Sequence, residues 1–264
     1  MSGGLLRQMD ASAALGIDVW DFSARSLLRP YGRLFLGGLL LRHPLRLFAG
    51  LREYAARVRS NRLNSVAAVG IGCHKAFERE LHEGEWLLGM GFCQKPLAPQ
   101  CPSGRFNHQC QLLSLPGGVA PPVACQACHI RELAERALPA GASIYIMTSA
   151  ADVARDLLLP ALRGPSPRRA VLSVCLYSVP PLSLAMTICG VRGTVESYSE
   201  GDCKDFATWV RADEGDKREV TRLAPESHGR LLKLLGRVAD ARRKKGEVPA
   251  RRFEQRGNFY CPAP

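Results

Sequence analysis

The sequence contains no G-x-G-x-x-G, no phosphate-binding G-x-x-x-x-G-K-[ST], no G-x-S-x-G and no H-E-x-x-H. Their absence removes the sequence signatures of dinucleotide binding, nucleotide hydrolysis, serine-hydrolase and zinc-protease chemistry. No RNA or DNA motif, no internal repeat and no long low-complexity segment is present. The opening stretch, MSGGLLRQMDASAALG, lacks a charged region followed by an apolar run and a small-residue cleavage site, so a cytoplasmic location is expected. Within residues 1–62 the longest uncharged run, LFLGGLLL between Arg33 and Arg42, is eight residues long. That is far short of the roughly twenty apolar residues that span a bilayer, and Pro30 and Pro44 break the segment further.

Cysteine, in contrast, is abundant: ten in 264 residues. A chain of this length buries a sizeable core without covalent staples. In a reducing compartment, clustered thiols bind metal or do redox chemistry more often than they form disulfides.

The net charge is +12, and it sits at the two ends. Residues 1–70 carry +6, residues 229–264 carry +7, and the cysteine-rich middle carries −1. This predicts a neutral core with basic flanks, with no specific nucleic-acid partner. Three regions are expected: a basic helical segment over 1–64, a cysteine-rich α/β domain over 65–228, and an amphipathic helix with a basic, mobile tail over 229–264. The Arg- and Leu-rich residues 1–62 suit either short helices packed on the core or an interfacial helix on an anionic membrane, a peripheral contact at the inner membrane face.

From residue 65 the pattern alternates. VAAVGIG (66–72), SIYIMTS (143–149), RRAVLSVC (168–175) and VRGTVESY (191–198) read as strands. CHKAFERELHEGEWLLGMG from Cys73, CQACHIRELAERALPAG, SAADVARDLLLPALRG, PPLSLAMTICG and SHGRLLKLLGRVADARRKK read as helices. Residues 92–124 read as one long loop, and WVRADEGDKREVTRL as a solvated charged face. The order strand, helix, strand, helix, strand predicts an α/β fold, a mainly parallel sheet with flanking helices, preceded by the basic helical N-terminal segment.

Two stretches carry the chemistry. CPSGRFNHQC holds Cys101 and Cys110, and ACQACHI holds Cys125 and Cys128. A CxxC can grip one metal or one cluster from a single turn, and a helix N-terminus beginning at Cys125 favours thiolate. Cys101 and Cys110 are the other two expected ligands, with Arg105, Asn107 and His108 on the rim of the pocket. An iron–sulfur cluster, four-iron in preference, is expected over zinc, because the paired upstream CxxC of a zinc ribbon is missing. A Cys3His zinc site using His108 or His129 is the alternative. Cys73, Cys175 and Cys203 each follow a predicted strand. The carboxyl ends of parallel strands line the ligand crevice of such sheets, so Cys175 and Cys203 are expected as further metal ligands, and His74 is a candidate base for Cys73. Cys189 reads as a small buried hydrophobe and Cys261 as a free thiol.

The series CxxC, helix, Tyr-Ile-x-Thr strand, VLSVC and GDC, over roughly residues 70–210, resembles an uncharacterised cysteine-rich domain family of bacteria and archaea. Cys125, Cys128, Cys175 and Cys203 match its pattern; CQACH departs from it, since the family shows a further cysteine after the CxxC. The resemblance implies an iron–sulfur cluster. The expected role is electron transfer, or an accessory step beside a redox enzyme, with a redox partner protein. The alternatives are a zinc-stabilised interaction module, or an enzyme acting through an open cluster edge or a reactive Cys175 or Cys203.

Overall fold

A computed structural model describes residues 19–59, 66–115, 120–164 and 167–263. Residues 1–18 and 60–64 of the basic segment lie outside them. The described part of that segment forms three helices, α1 (Val19–Ser26), α2 (Pro30–Arg42) and α3 (Pro44–Arg59). Pro30 and Pro44 open the second and third of them, where a missing N–H costs nothing. There follow β1 (Val66–Val69), α4 (His74–His82) and β2 (Trp86–Gly91). After a long loop come α5 (His129–Ala137) and β3 (Ala142–Met147). A helix α6 starts at Ala150–Val153, widens into a π-turn over Ala154–Leu158 and ends in Leu159–Arg163. Next are β4 (Arg169–Val174), α7 (Val179–Cys189), β5 (Arg192–Glu200), α8 (Phe206–Asp213), the two-residue β6 (Arg222–Leu223) and α9 (Pro225–Lys244). The hairpin β7 (Arg252–Arg256) and β8 (Phe259–Ala263) follows.

The strands make one eight-stranded sheet in the order β1-β5-β4-β2-β3-β8-β7, with β6 on β5. The α/β class holds. The expectation of a mainly parallel sheet needs correction, because the sheet is mixed. β5, β4, β2 and β3 run parallel at the centre, and the pairings of β1, β6, β7 and β8 are antiparallel. Side chains alternate across it, as a pleated strand requires. Leu88, Val171, Ile144 and Ile146 face α4, α5 and α9 with Phe77, Leu81, Leu133 and Leu235. Leu87, Leu172 and Tyr145 face α2, α3, α6 and α7 with Leu39, Tyr54, Leu157 and Ile188. Both faces of the central strands are therefore dry. The basic segment belongs to the second layer: a Cβ on Gly50 of α3 would lie 2.6 Å from the Ile188 Cα of α7.

Two further elements differ from expectation. The helix from Cys73 ends at His82, and WLLGMG is the central strand β2. Tertiary pairing on both sides overrides the helical look of the preceding residues. The tail, expected as a basic extension, joins the sheet: β8 pairs with β3 through Ile144–Tyr260 and Tyr145–Phe259, and β7 covers its outer edge.

The chain runs from β2 to β3 on one side, then crosses to β4 on the other side of β2 and on to β5. The connections thus diverge between β2 and β4. At such a switch point the carboxyl ends of adjacent strands open a crevice.

Candidate functional site

Three cysteines occupy that crevice. Cys93 follows β2, Cys175 follows β4 and Cys203 follows β5, and all three are buried. Cys73 does not join them. β1 runs antiparallel to β5, so its carboxyl end lies at the opposite edge of the sheet. There Cys73 is exposed and caps α4, where the Ala76 and Lys75 N–H groups hold its thiol below the usual range.

Tyr198 ties the crevice floor together. Its hydroxyl donates to the Ser173 carbonyl at 2.6 Å and accepts from the Gly91 N–H at 2.9 Å, joining the ends of β2, β4 and β5. Gly91 is required there, since a Cβ would stand 2.8 Å from the Cys93 Sγ and 2.9 Å from the Tyr198 hydroxyl. Thr221 fixes Cys93: its hydroxyl donates to the sulfur at 3.0 Å and its N–H to the carbonyl at 3.0 Å. Burial pushes the Cys93 thiol up to about 11. Cys175, Cys203 and Lys217 line one cavity, and the interaction of the two thiols, with Lys217 adding to it, lowers Cys203 while Cys175 is raised. Asp202 accepts from the Leu176 N–H at 3.0 Å and holds the Cys175 turn. Above the thiols lies a cavity of about 130 Å³, walled by Phe22, Tyr31, Trp209 and Met147 and edged by Asp213 and Lys217. Burial pushes the Asp213 carboxyl up to about 6.

Cys101, Cys110, Cys125 and Cys128 form a second group, in the loop between β2 and α5. Each of the other three thiols feels the charge of Cys101. Cys128, not Cys125, stands at the start of the helix: it is the N-cap of α5, where the Arg131 and Ile130 N–H groups favour its thiolate without a side-chain cap hydrogen bond. Cys125 belongs to a separate turn, Val123–Gln126. Cys110 opens another turn, Gln111–Ser114, and its own N–H donates to the Tyr260 hydroxyl at 2.7 Å. Burial raises the thiols of Cys110, Cys125 and Cys128, the first to about 11.

Lys95 lies beneath this loop, 2% exposed. Its ammonium donates to the carbonyls of Gly104, Asn107 and Gln109 and to Asn107 Oδ1, at 2.8–3.1 Å. All four acceptors are uncharged. Burial lowers its pKa to about 8, and the thiols of Cys101, Cys110 and Cys128 pull the other way.

Of the expected rim residues, Arg105 lies between the two thiol groups. Its guanidinium donates to the carbonyls of Cys93 at 3.1 Å, Glu219 at 2.8 Å and Lys217, and it feels the charges of Cys93 and Cys101. Asn107 serves the loop itself, accepting from Lys95 and from the Gln109 N–H. His108 is turned to β3, where Nδ1 donates to the Ile146 carbonyl at 2.8 Å and the ring stacks on Tyr145. His129 packs beside His228. Of the two histidines considered for a Cys3His site, His108 is thus engaged elsewhere. His74 opens α4 at the opposite edge, next to Cys73. Among the described residues, no group of three or more His, Cys, Asp or Glu side chains is arranged to hold a metal ion.

Cys93, Lys95, Lys217 and Thr221 were not singled out by the sequence reading. Cys93 follows WLLGMG as Cys175 follows AVLSV, a signal usable once that run is read as a strand. The charged stretch from Trp209 is correspondingly more than a solvated face, since Thr221 is fully buried and the Lys217 side chain is 8% exposed.

No family model, no curated protein and no solved structure matches this chain.

Proposed function

We propose that Cys101, Cys110, Cys125 and Cys128 hold an iron–sulfur cluster, four-iron in preference, and that the protein transfers electrons for a redox partner. The observation that carries this reading is Lys95. A buried charge is normally paired with an opposite one, yet this ammonium is hydrogen-bonded only to neutral oxygens and stands near three cysteines, Cys101, Cys110 and Cys128. Four thiolates around a bound cluster would supply the missing negative charge. The helix N-terminus at Cys128 and the guanidinium of Arg105 stabilise thiolate in the same way.

One observation favours a cluster over a Cys3His zinc ion: both ring nitrogens of His108 are already engaged, by the Ile146 carbonyl and the Thr148 hydroxyl. When bound, the cluster would supply one-electron transfer. The chain's residues supply the dry walls, the counter-charge and the ligands. The three crevice thiols are one short of a closed four-thiolate site, so Cys175 and Cys203 are assigned to different chemistry.

The test is anaerobic purification with iron, sulfide and zinc analysis and a visible spectrum, repeated on a Cys125→Ser, Cys128→Ser double variant. Iron, sulfide and broad visible absorption are expected in the parent and absent from the variant. Stoichiometric zinc without colour would replace the proposal with a zinc-stabilised interaction module.

A second observation supports a peripheral contact with an anionic membrane, at the inner face. Leu41, Leu45 and Phe48, at the corner between α2 and α3, are 86%, 83% and 68% exposed. Arg42 and Arg46 stand exposed beside them, and residues 22–52 hold no Asp or Glu. No single helix in the described residues is long and apolar enough to cross a membrane, so this contact would be interfacial. Flotation with vesicles containing phosphatidylserine is expected for the parent chain and lost in Leu45→Asp, Phe48→Asp; flotation of neither excludes the contact.

A further inference from the structure

The crevice thiols are separate from the loop group and are built differently. Cys175 and Cys203 line one cavity, and the bond from the Leu176 N–H to Asp202 at 3.0 Å holds their two turns side by side, which makes the thiols neighbours. Both line the cavity, as does Cys93. The cavity wall is mostly aromatic and aliphatic. One polar atom on it lacks a partner: the Ser173 hydroxyl oxygen is fully buried and makes no hydrogen bond among the described residues. Apolar walls, a buried orphan hydroxyl and an adjacent cation, Lys217, describe a site for a small organic molecule with one polar end. What stands at its floor is a dithiol.

We propose that Cys203 and Cys175 are a thiol–disulfide exchange pair that reduces a small, largely apolar organic disulfide bound in the cavity at the ends of β2, β4 and β5. Cys203 is the attacking sulfur, because Lys217 and the Cys175 S–H both stabilise its thiolate. Its proton goes to solvent. The thiolate attacks one sulfur of R–S–S–R′; the Cys203–S–R bond forms, the S–S bond breaks and R′S⁻ leaves. Cys175 then gives its proton to R′S⁻, and its thiolate attacks the Cys203 sulfur, expelling RS⁻, which takes a proton from solvent. Two thiols and one disulfide enter, and one disulfide and two thiols leave. The pair has given up two electrons. Reverse exchange with an external dithiol resets it. Cys93, pinned by Thr221 and raised by burial, stays a thiol throughout. This proposal does not depend on a cluster at the loop cysteines.

The test uses the full chain carrying Cys73→Ser, which removes the exposed reactive thiol. The reduced protein is mixed with one equivalent of 2-hydroxyethyl disulfide, quenched with acid, alkylated and mapped by mass spectrometry without reduction. The expected product is a cross-linked Cys175–Cys203 peptide. With Cys175→Ser, the expected product is a stable mercaptoethanol adduct on Cys203; with Cys203→Ser, reaction at Cys175 slows at least about tenfold, as loss of the activated nucleophile requires. Near-ultraviolet dichroism of each variant confirms that the fold is retained. Cross-linking or adducts at other cysteines, with Cys175 and Cys203 intact, would overturn the proposal, as would Cys203→Ser reacting at the parental rate. Repeating the reaction on Cys125→Ser, Cys128→Ser separates the two readings: the cross-link should persist where iron and sulfide are lost.

Discussion

Four of the cysteines sit where a loop and helix starts bring them; three sit where strands end. The two groups are neighbours, with the Arg105 guanidinium between them, yet they depend on different supports. The crevice thiols inherit their positions from the sheet. β2, β4 and β5 are locked by pairing along their length, and Tyr198 clips their ends together. The loop thiols have no ladder behind them. Their support is a buried ammonium that gathers three carbonyls and an amide oxygen, plus one bond to Tyr260. A sheet edge gives fixed spacing, which suits a two-sulfur reaction. A loop folded around a cation gives a charge-matched basket, which suits an anionic group.

The largest expected break in this comparison is Lys95→Met. It leaves four buried oxygens without their donor and removes the positive centre of the loop. Leaving a buried acceptor without its donor costs about 1–3 kcal/mol each. Urea unfolding should show this loss, and metal content should fall severalfold, while the Cys175–Cys203 cross-link still forms. Retention of both stability and metal would mean that the ammonium does not order the loop.

Tyr198→Phe should act the other way round. It strips the Gly91 N–H and the Ser173 carbonyl of their shared partner, at a cost of about 1–3 kcal/mol. Cross-linking at the crevice should weaken while the metal content of the loop is unchanged. An equal drop in both would show that the two groups share one support.

The most selective effect concerns pH. The buried Asp213 carboxyl, raised to about 6, holds its proton more tightly in the folded chain than in the unfolded one. Stability from this group is therefore present below about pH 4 and is lost as pH rises through about 6, by roughly 2–3 kcal/mol. Asp213→Asn should remove that slope while its amide oxygen still accepts the Ala150 N–H. Urea midpoints at pH 4.5 and 7.5 measure it; an unchanged slope would place the titration elsewhere.

The sequence exposed these two groups unequally. Cys175 and Cys203 were legible from a strand-end rule, because AVLSV and TVESY carry the β-branched pattern of buried strands. Cys93 obeys the same rule but stayed hidden. WLLGMG is uniformly apolar, holds two glycines and follows a strongly helical stretch, so only its pairing with β3 and β4 reveals it as a strand. Cys73 was misplaced for a related reason. A lone apolar run does not show its direction, and β1 turns out to point the opposite way. The loop cysteines were legible from spacing alone. Lys95 was not, since nothing local distinguishes a buried lysine from a solvated one. The hairpin of β7 and β8 hid behind its charge: Arg252, Glu254 and Arg256 are exposed on the outermost strand, where charge protects an edge.

The bond from the Cys110 N–H to Tyr260 spans 150 residues. A ribosome adding about 5–20 residues per second makes such a stretch in about 8–30 s. Through that interval the cysteine basket exists on the nascent chain without its last clasp, while the strands, helices and crevice below it are being laid down in order. The strand made last thus supplies the clasp of a loop made far earlier.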